Sequence, residues 1–168
     1  MRRIRTSSFR IGIGADTHCL EVGSPLRLGG VDVPHDRRLV GHSDADALLH
    51  AITDALLGAA ALPDIGRLFP NTDDTNRGRD SAEMLAIAAG QVAAAGYQVV
   101  NLDCVVLAQR PKLADYVDAI RHRIAGILRL NPHQVSVKAK TGEGLGPVGR
   151  EEAIDAHCVV LLEQAGHS

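Results

Sequence analysis

Arg10-Ile11-Gly12-Ile13-Gly14-Ala15-Asp16-Thr17-His18 is the stretch from which the rest of the chain is read. Its first six residues alternate small and apolar side chains, the pattern of a buried β-strand. Asp16 and His18 close the run two residues apart, a spacing that turns both side chains to the same face of a strand. A second stretch, Gly41-His42-Ser43-Asp44-Ala45-Asp46-Ala47-Leu48-Leu49-His50, is a flexible loop that opens an apolar-periodic segment running to about Leu57, which predicts a helix ending near Gly58. One carboxylate and two imidazoles, brought together where the strand end faces that helix, are three protein ligands with an open fourth position. That is the donor set of a catalytic zinc site. The competing reading is a packed or solvated histidine, and spacing leaves both open.

Asp46 and Asp54 lie four residues either side of His50, so a helix puts all three on one face. A carboxylate there can orient a ligating imidazole and raise its basicity. Helix capping is the alternative, with Ser43 or Asp44 as N-cap and Asp46 as a first-turn acid. Asp54, in the middle of the apolar segment, does not fit that alternative.

At 168 residues the chain predicts one domain, residues 10–168, behind a basic and flexible tail over residues 1–9 that carries Arg2, Arg3 and Arg5. Hydrophobic residues make up 45% and aromatics only 2%, so the core is aliphatic and offers little for stacking nucleic-acid bases. A net charge of −2 with mixed signs gives no nucleic-acid footprint. No apolar run is long enough to span a bilayer, and no signal-peptide pattern opens the chain. Cys19, Cys104 and Cys158 are odd in number and widely spaced, which suits a reduced, cytoplasmic setting with Cys104 and Cys158 as small core residues.

Further elements follow in order. Pro25 to Pro34 reads as a hairpin around Gly29-Gly30. Pro63 to Asp74 reads as an acid-rich loop, where binding residues often sit. Asp80-Ser81 caps a helix running to Ala95, and Tyr97 to Gln109 is a strand. A third helix spans about Leu113 to Leu128; Val135 to Ala139 and Ile154 to Leu162 are strands. The fold class is α+β, a mixed sheet with helices on one face. Strands this apolar call for cover on the other face as well, which predicts a homo-oligomer. Lys140-Thr141-Gly142-Glu143, in a glycine-rich loop after a strand, offers a cation, a hydroxyl, backbone amides and a carboxylate for a phosphate and its divalent cation. A plain glycine-rich turn explains the same residues. Gly12-x-Gly14 lacks the third glycine of a dinucleotide site. Metal ligands beside a phosphate loop suggest chemistry at phosphorus, either hydrolysis or transfer to an internal oxygen.

Asp16-x-His18, Leu28-Gly29-Gly30, Gly41 to Asp46 with Leu49-His50, and Asp54 to Ala60 resemble the 2-C-methyl-D-erythritol 2,4-cyclodiphosphate synthase family. So do Asp64-Ile65-Gly66 with Phe69-Pro70, Ala108-Gln109-x-Pro111-Lys112, Val137-Lys138-Ala139 and Gly149-Arg150-x-Glu152, in family order from Ile11 to Leu162. The resemblance implies an enzyme of non-mevalonate isoprenoid synthesis, a homotrimer with sheets facing a three-fold axis and active sites between subunits. Its substrate is 4-diphosphocytidyl-2-C-methyl-D-erythritol 2-phosphate, cyclised with release of CMP. A zinc phosphohydrolase and a non-catalytic trimer binding a nucleotide or an isoprenoid diphosphate are the rival readings.

By motif, the resemblance implies that Asp16, His18 and His50 bind zinc or another divalent transition metal, with Asp16 and His18 also facing substrate. Glu143 would bind magnesium or manganese. His42 and Ser43 would contact the phosphates, and His42 and Thr141 would stabilise the transition state. Asp64, Ile65 and Gly66, with Phe69, Pro70, Asn71, Thr72 and Asp73, would contact the methylerythritol part. Ala108, Gln109, Arg110, Pro111, Lys112, Leu113 and Ala114 would line a cytidine pocket from the neighbouring subunit. Lys140, Thr141, Gly142 and Glu143 would hold the diphosphate; Pro147 lies on the substrate side, and Arg150 faces a substrate phosphate or the channel mouth. Lys140, Gly142, Asn71 and Pro147 stand where the commonest form of the family has threonine, threonine, aspartate and phenylalanine.

Overall fold

The structure, a computed structural model, describes residues 8–166. The tail expected over residues 1–9 lies outside the described residues except for Ser8 and Phe9, and Phe9 already pairs with Glu163. Strand β1 (Phe9–Val22) is followed by the hairpin β2 (Leu26–Leu28) and β3 (Val31–Val33), and by β4 (Arg37–Leu39). Helix α1 (Ala47–Ala59), the short α2 (Ile65–Leu68) and α3 (Ser81–Ala94) lead to β5 (Tyr97–Leu107). Helix α4 (Val117–Leu128), β6 (Val135–Lys140), the short α5 (Gly146–Gly149) and β7 (Ala153–Gln164) complete the order.

The five-stranded sheet runs β4-β1-β7-β5-β6, with β5 and β6 parallel and the other neighbours antiparallel. It is the mixed sheet expected from the pattern, with α1 laid along β1 and β7 and α4 against β6. Gly12 and Gly14 explain how closely α1 lies. A Cβ on Gly12 would fall 2.0 Å from the Ala55 carbonyl oxygen, and one on Gly14 would fall 1.9 Å from that of Ala51. Backbone thus meets backbone, and the glycines serve packing between helix and strand. On the same side Leu48, Ile52 and Leu56 meet Cys104, Val106, Ile154, Ala156, Cys158 and Val160 in the core. Full burial of each large aliphatic side chain contributes about 1.5–3 kcal/mol.

β1 is buried on one face only. Ile11 and Ile13 are 77% and 72% exposed on the sheet face away from the helices, and Val159 on β7 pairs opposite Ile13. The expectation of a wholly buried strand is corrected to that extent. Other differences are local. α1 begins at Ala47, capped by Asp46 rather than by Ser43 or Asp44. β5 ends at Leu107, short of Gln109, and a 3-10 turn over Ala114–Tyr116 precedes α4. β4, α2 and α5 are too short, at three or four residues each, to carry a periodic signal.

Candidate metal centre

β1 and α1 bring Asp16, His18 and His50 together. The His18 Nε2 atom lies 2.9 Å from Asp16 Oδ2 and 3.2 Å from His50 Nδ1, and His50 Nδ1 lies 3.0 Å from Asp16 Oδ2. Three donors at zinc-ligand distance in a tetrahedral shell stand roughly 3.3 Å apart, close to this triangle. All three side chains are partly buried, so their polar atoms face one another more than solvent. The donor set of one carboxylate and two imidazoles fits a divalent transition metal.

The second nitrogen of each ring decides which one is free. His18 Nδ1 lies 2.7 Å from the Val40 carbonyl oxygen, which can only accept, so Nδ1 donates and Nε2 is left for a metal. His50 Nε2 lies 2.8 Å from Ser81 Oγ and 3.1 Å from Ser43 Oγ, on the side away from the triangle. Burial works against the Asp16 carboxylate, but the hydrogen bonds and charges of His18 and His50 outweigh it. Its carboxyl is held well below the usual carboxylate range. Burial likewise disfavours a charged His18, yet the Asp16 carboxylate and the Val40 carbonyl raise its pKa above the ordinary 6.5.

Asp46 and Asp54 do not take the orienting role expected of them. Asp46 is fully buried and turns away from His50: the Gly29, Gly30 and Leu49 amides donate to it at 2.8, 2.6 and 3.0 Å. It ties the β2–β3 turn to the start of α1. Asp54 accepts the Ile65 amide at 2.8 Å and fixes the start of α2. The groups behind the histidines, Val40 and Ser81, were not legible as such. A backbone carbonyl leaves no mark in sequence, and Ser81 reads as an ordinary helix start.

A cavity of about 210 Å³ opens on the triangle, lined by Asp16, His18, His42, Ser43, His50, Ile65, Gly66, Phe69, Asn71, Asn76 and Met84. His42 Nε2 is buried and has no hydrogen-bond partner among the described residues. Asn76 and Met84 are additions to the expected lining. Asp64, Pro70, Thr72 and Asp73 are outside it. Asp64 caps α2 through the Arg67 amide at 2.9 Å, and Asp73 caps the next turn through the Thr75 amide at 3.0 Å. The Arg79 guanidinium stacks over Phe69, 5.0 Å from the ring centre, and holds this loop against α3.

A second cavity, of about 120 Å³, is lined by Ala108, Pro111, Lys112, Leu113, Ala114, Ala139, Lys140 and Thr141. It shares no residue with the first. Gln109 accepts the Gly144 amide at 3.5 Å, and Arg110 pairs with Glu151 at 3.5 Å. Thr141 donates to Glu143, whose φ of +50° kinks the loop beyond β6. A Cβ on Gly142 would fall 2.5 Å from the Gly149 amide nitrogen, so the loop folds back on α5. Pro147 opens α5, and Arg150 is engaged with Glu152 through two hydrogen bonds of 3.0 and 2.9 Å.

Residues 9–163 match the profile of the YgbB family. The chain belongs to the YgbB family. A relative from Chromobacterium violaceum named 2-C-methyl-D-erythritol 2,4-cyclodiphosphate synthase is 60% identical over 157 residues, covering 94% of this chain and 99% of the relative. One of the same name from Rhodopirellula baltica is 54% identical, covering 94% and 95%. Among solved structures, a 2C-methyl-D-erythritol-2,4-cyclodiphosphate synthase superposes with a TM-score of 0.85 at 42% identity, covering 92% of this chain and all of that one. An IspF–CDP complex from Plasmodium falciparum superposes with a TM-score of 0.84 at 35% identity, covering 96% and 99%.

Proposed function

We propose that this YgbB-family chain is a phosphorus–oxygen lyase of non-mevalonate isoprenoid synthesis. It converts 4-diphosphocytidyl-2-C-methyl-D-erythritol 2-phosphate to 2-C-methyl-D-erythritol 2,4-cyclodiphosphate and CMP. An oxygen of the 2-phosphate forms a bond to the β-phosphorus, the anhydride bond to the α-phosphate breaks, and CMP leaves with the bridging oxygen. The observation that carries this reading is the Asp16–His18–His50 triangle opening on a cavity with a His42 Nε2 atom that has no partner among the described residues, in a chain so similar to proteins of that name.

Zinc at the triangle and magnesium or manganese at Glu143, when bound, neutralise and orient the phosphate oxygens. His42 donates from its free Nε2 to a phosphate oxygen in that cavity, beside the Ser43 hydroxyl. Thr141 donates to charge developing on the diphosphate, with Lys140 as a further cation. Ile65, Gly66, Phe69 and Asn71 hold the methylerythritol part, and the cavity from Ala108 to Ala114 takes the cytidine.

The active enzyme is a homotrimer. Two features support this: the open sheet face carries Ile11, Ile13 and Val159, and the two cavities share no wall within one chain. One catalytic domain follows the basic tail. Free cysteines, with Cys104 and Cys158 buried, support a cytoplasmic setting, and no described helix is long and apolar enough to cross a membrane.

Phosphorus NMR of the protein with the substrate, zinc and magnesium tests the reaction. Signals of a cyclic diphosphate with released CMP are expected. CMP with an open-chain diphosphate would replace this reading with hydrolysis, and no turnover despite bound zinc would leave a binding protein.

A further inference from the structure

Ser81 is the first residue of α3 and is wholly buried, yet α3 does not need it as a cap. Asp80 already caps the helix by accepting the Ala82 amide at 2.8 Å. Its hydroxyl instead sits between two side chains from elsewhere in the fold. On one side Asp44 accepts both the Ser81 hydroxyl and, at 3.2 Å, the Ser81 amide. On the other, Ser81 Oγ lies 2.8 Å from His50 Nε2.

An ionised carboxylate only accepts, so the single hydroxyl proton of Ser81 is committed to Asp44. Only lone pairs of Ser81 remain for His50. Without metal, Nδ1, 3.0 Å from Asp16 and 3.2 Å from His18, can donate to the Asp16 carboxylate; a metal at the triangle would take the Nδ1 lone pair and leave the ring hydrogen on Nε2, where Ser81 accepts it. Ser43 Oγ, which accepts the Ala45 amide at 3.2 Å, lies 3.1 Å from the same nitrogen. The loop bearing Asp44 is fixed by backbone bonds to the segment before α3: the Asp44 amide donates to Arg79 at 3.1 Å, and the Gly78 amide donates to His42 at 2.8 Å.

We infer that Ser81, held by Asp44, is a positioning residue that accepts the Nε2–H of metal-bound His50 and so holds Nδ1 toward the metal. The inference rests on the metal reading of the triangle. It assigns to Asp44 and Ser81 the orienting role that carboxylates commonly take directly behind metal-bound histidines, here relayed through a hydroxyl.

Two measurements test it: proton–nitrogen correlation spectra of the histidine rings in zinc-loaded protein, and zinc affinity by competition with a chromogenic chelator. The parent should show a His50 Nε2 proton shifted downfield by its hydrogen bond to Ser81. Ser81→Ala should move that proton upfield and weaken zinc binding about 10–100-fold. Asp44→Asn leaves Ser81 in place, but its amide can donate to the Ser81 oxygen and release the hydroxyl proton toward His50. It should therefore move the same Nε2 proton and weaken zinc binding without any atom of Ser81 being removed, which a merely structural role would not do. If the Nε2 proton keeps its shift and zinc affinity stays within about twofold in both variants, the positioning role is overturned. If the parent itself binds no zinc, it is the metal reading that fails.

Discussion

The two cavities differ in how complete they are within a single chain. In the first, each ring of the triangle is held from behind, His18 by a carbonyl and His50 by Ser81, and the walls come from β1, α1, α2 and the start of α3. The second lies at the ends of β5 and β6, with Lys112, Lys140 and Thr141 its only polar side chains. Thr141 there is bonded within its own loop, to Glu143. A substrate with dense phosphate charge at one end and a nucleoside at the other needs both. The lesson is that the metal half is built by folding alone, whereas the complete site on our reading is built by association.

The largest effect that can break this comparison comes from mixing variants. His50→Ala should lower turnover about a thousandfold, since charge stabilisation worth several kcal/mol is lost and each 1.36 kcal/mol is tenfold. Thr141→Ala, which removes one donor to developing charge, should cost about 10²–10³-fold. If sites form between chains, equal mixing of the two inactive variants before assembly restores about a quarter of the sites. Three-quarters of random trimers are mixed, and each has one intact interface in three. Assays of co-refolded protein that stay at the level of the separate variants would put both halves back in one chain.

Association itself gives a smaller and more selective effect. Ile13→Glu places a charge on the open sheet face, where burial of an unpaired charge costs about 3–5 kcal/mol. Light scattering should show monomers at concentrations where the parent, a trimer on our reading, stays assembled. Zinc content should be unchanged, because no ligand of the triangle lies on that face. Loss of zinc together with the trimer would mean that the metal half also depends on association. Lys112→Ala acts on the second cavity alone, so KM should rise about tenfold with kcat little changed, as expected when uniform binding is lost.

How far this was legible in the sequence depends on the range of each signal. Period-two and period-3.6 patterns reveal β1, β5, β7, α1 and α3 because one face of each is buried. Asp16, His18 and His50 are legible as a ligand set because strand and helix geometry fixes which way they point. The partners of these residues are not. Asp44 is 37 residues from Ser81, and Ser81 is 31 from His50, so their contacts exist only once α3 has folded across the loop before α1. Asp46 misleads for the same reason. Its helical spacing from His50 is real, but the turn at Gly29-Gly30 supplies amides that capture it first. Gly12 and Gly14 look like half a nucleotide motif until α1 is seen lying against them.

The smallest effect is a pH dependence confined to the metal half. Asp16 titrates below its ordinary 3.8 in the folded chain, so its contribution to metal-free stability is present above that value and is lost as pH falls through the folded pKa. His18 titrates above 6.5, so its contribution is complete below 6.5 and is lost as pH rises through the raised pKa. The pair therefore stabilises the metal-free protein most between these limits. A bound metal reverses the upper limb, because it needs the His18 lone pair and competes with the proton. Going from pH 6 to pH 8, the midpoint of thermal unfolding should fall without metal. With zinc in excess it should rise. His18→Gln should flatten the metal-free slope; if that slope survives the substitution, the titrating group lies elsewhere and the coupling of proton and metal at this triangle is refuted.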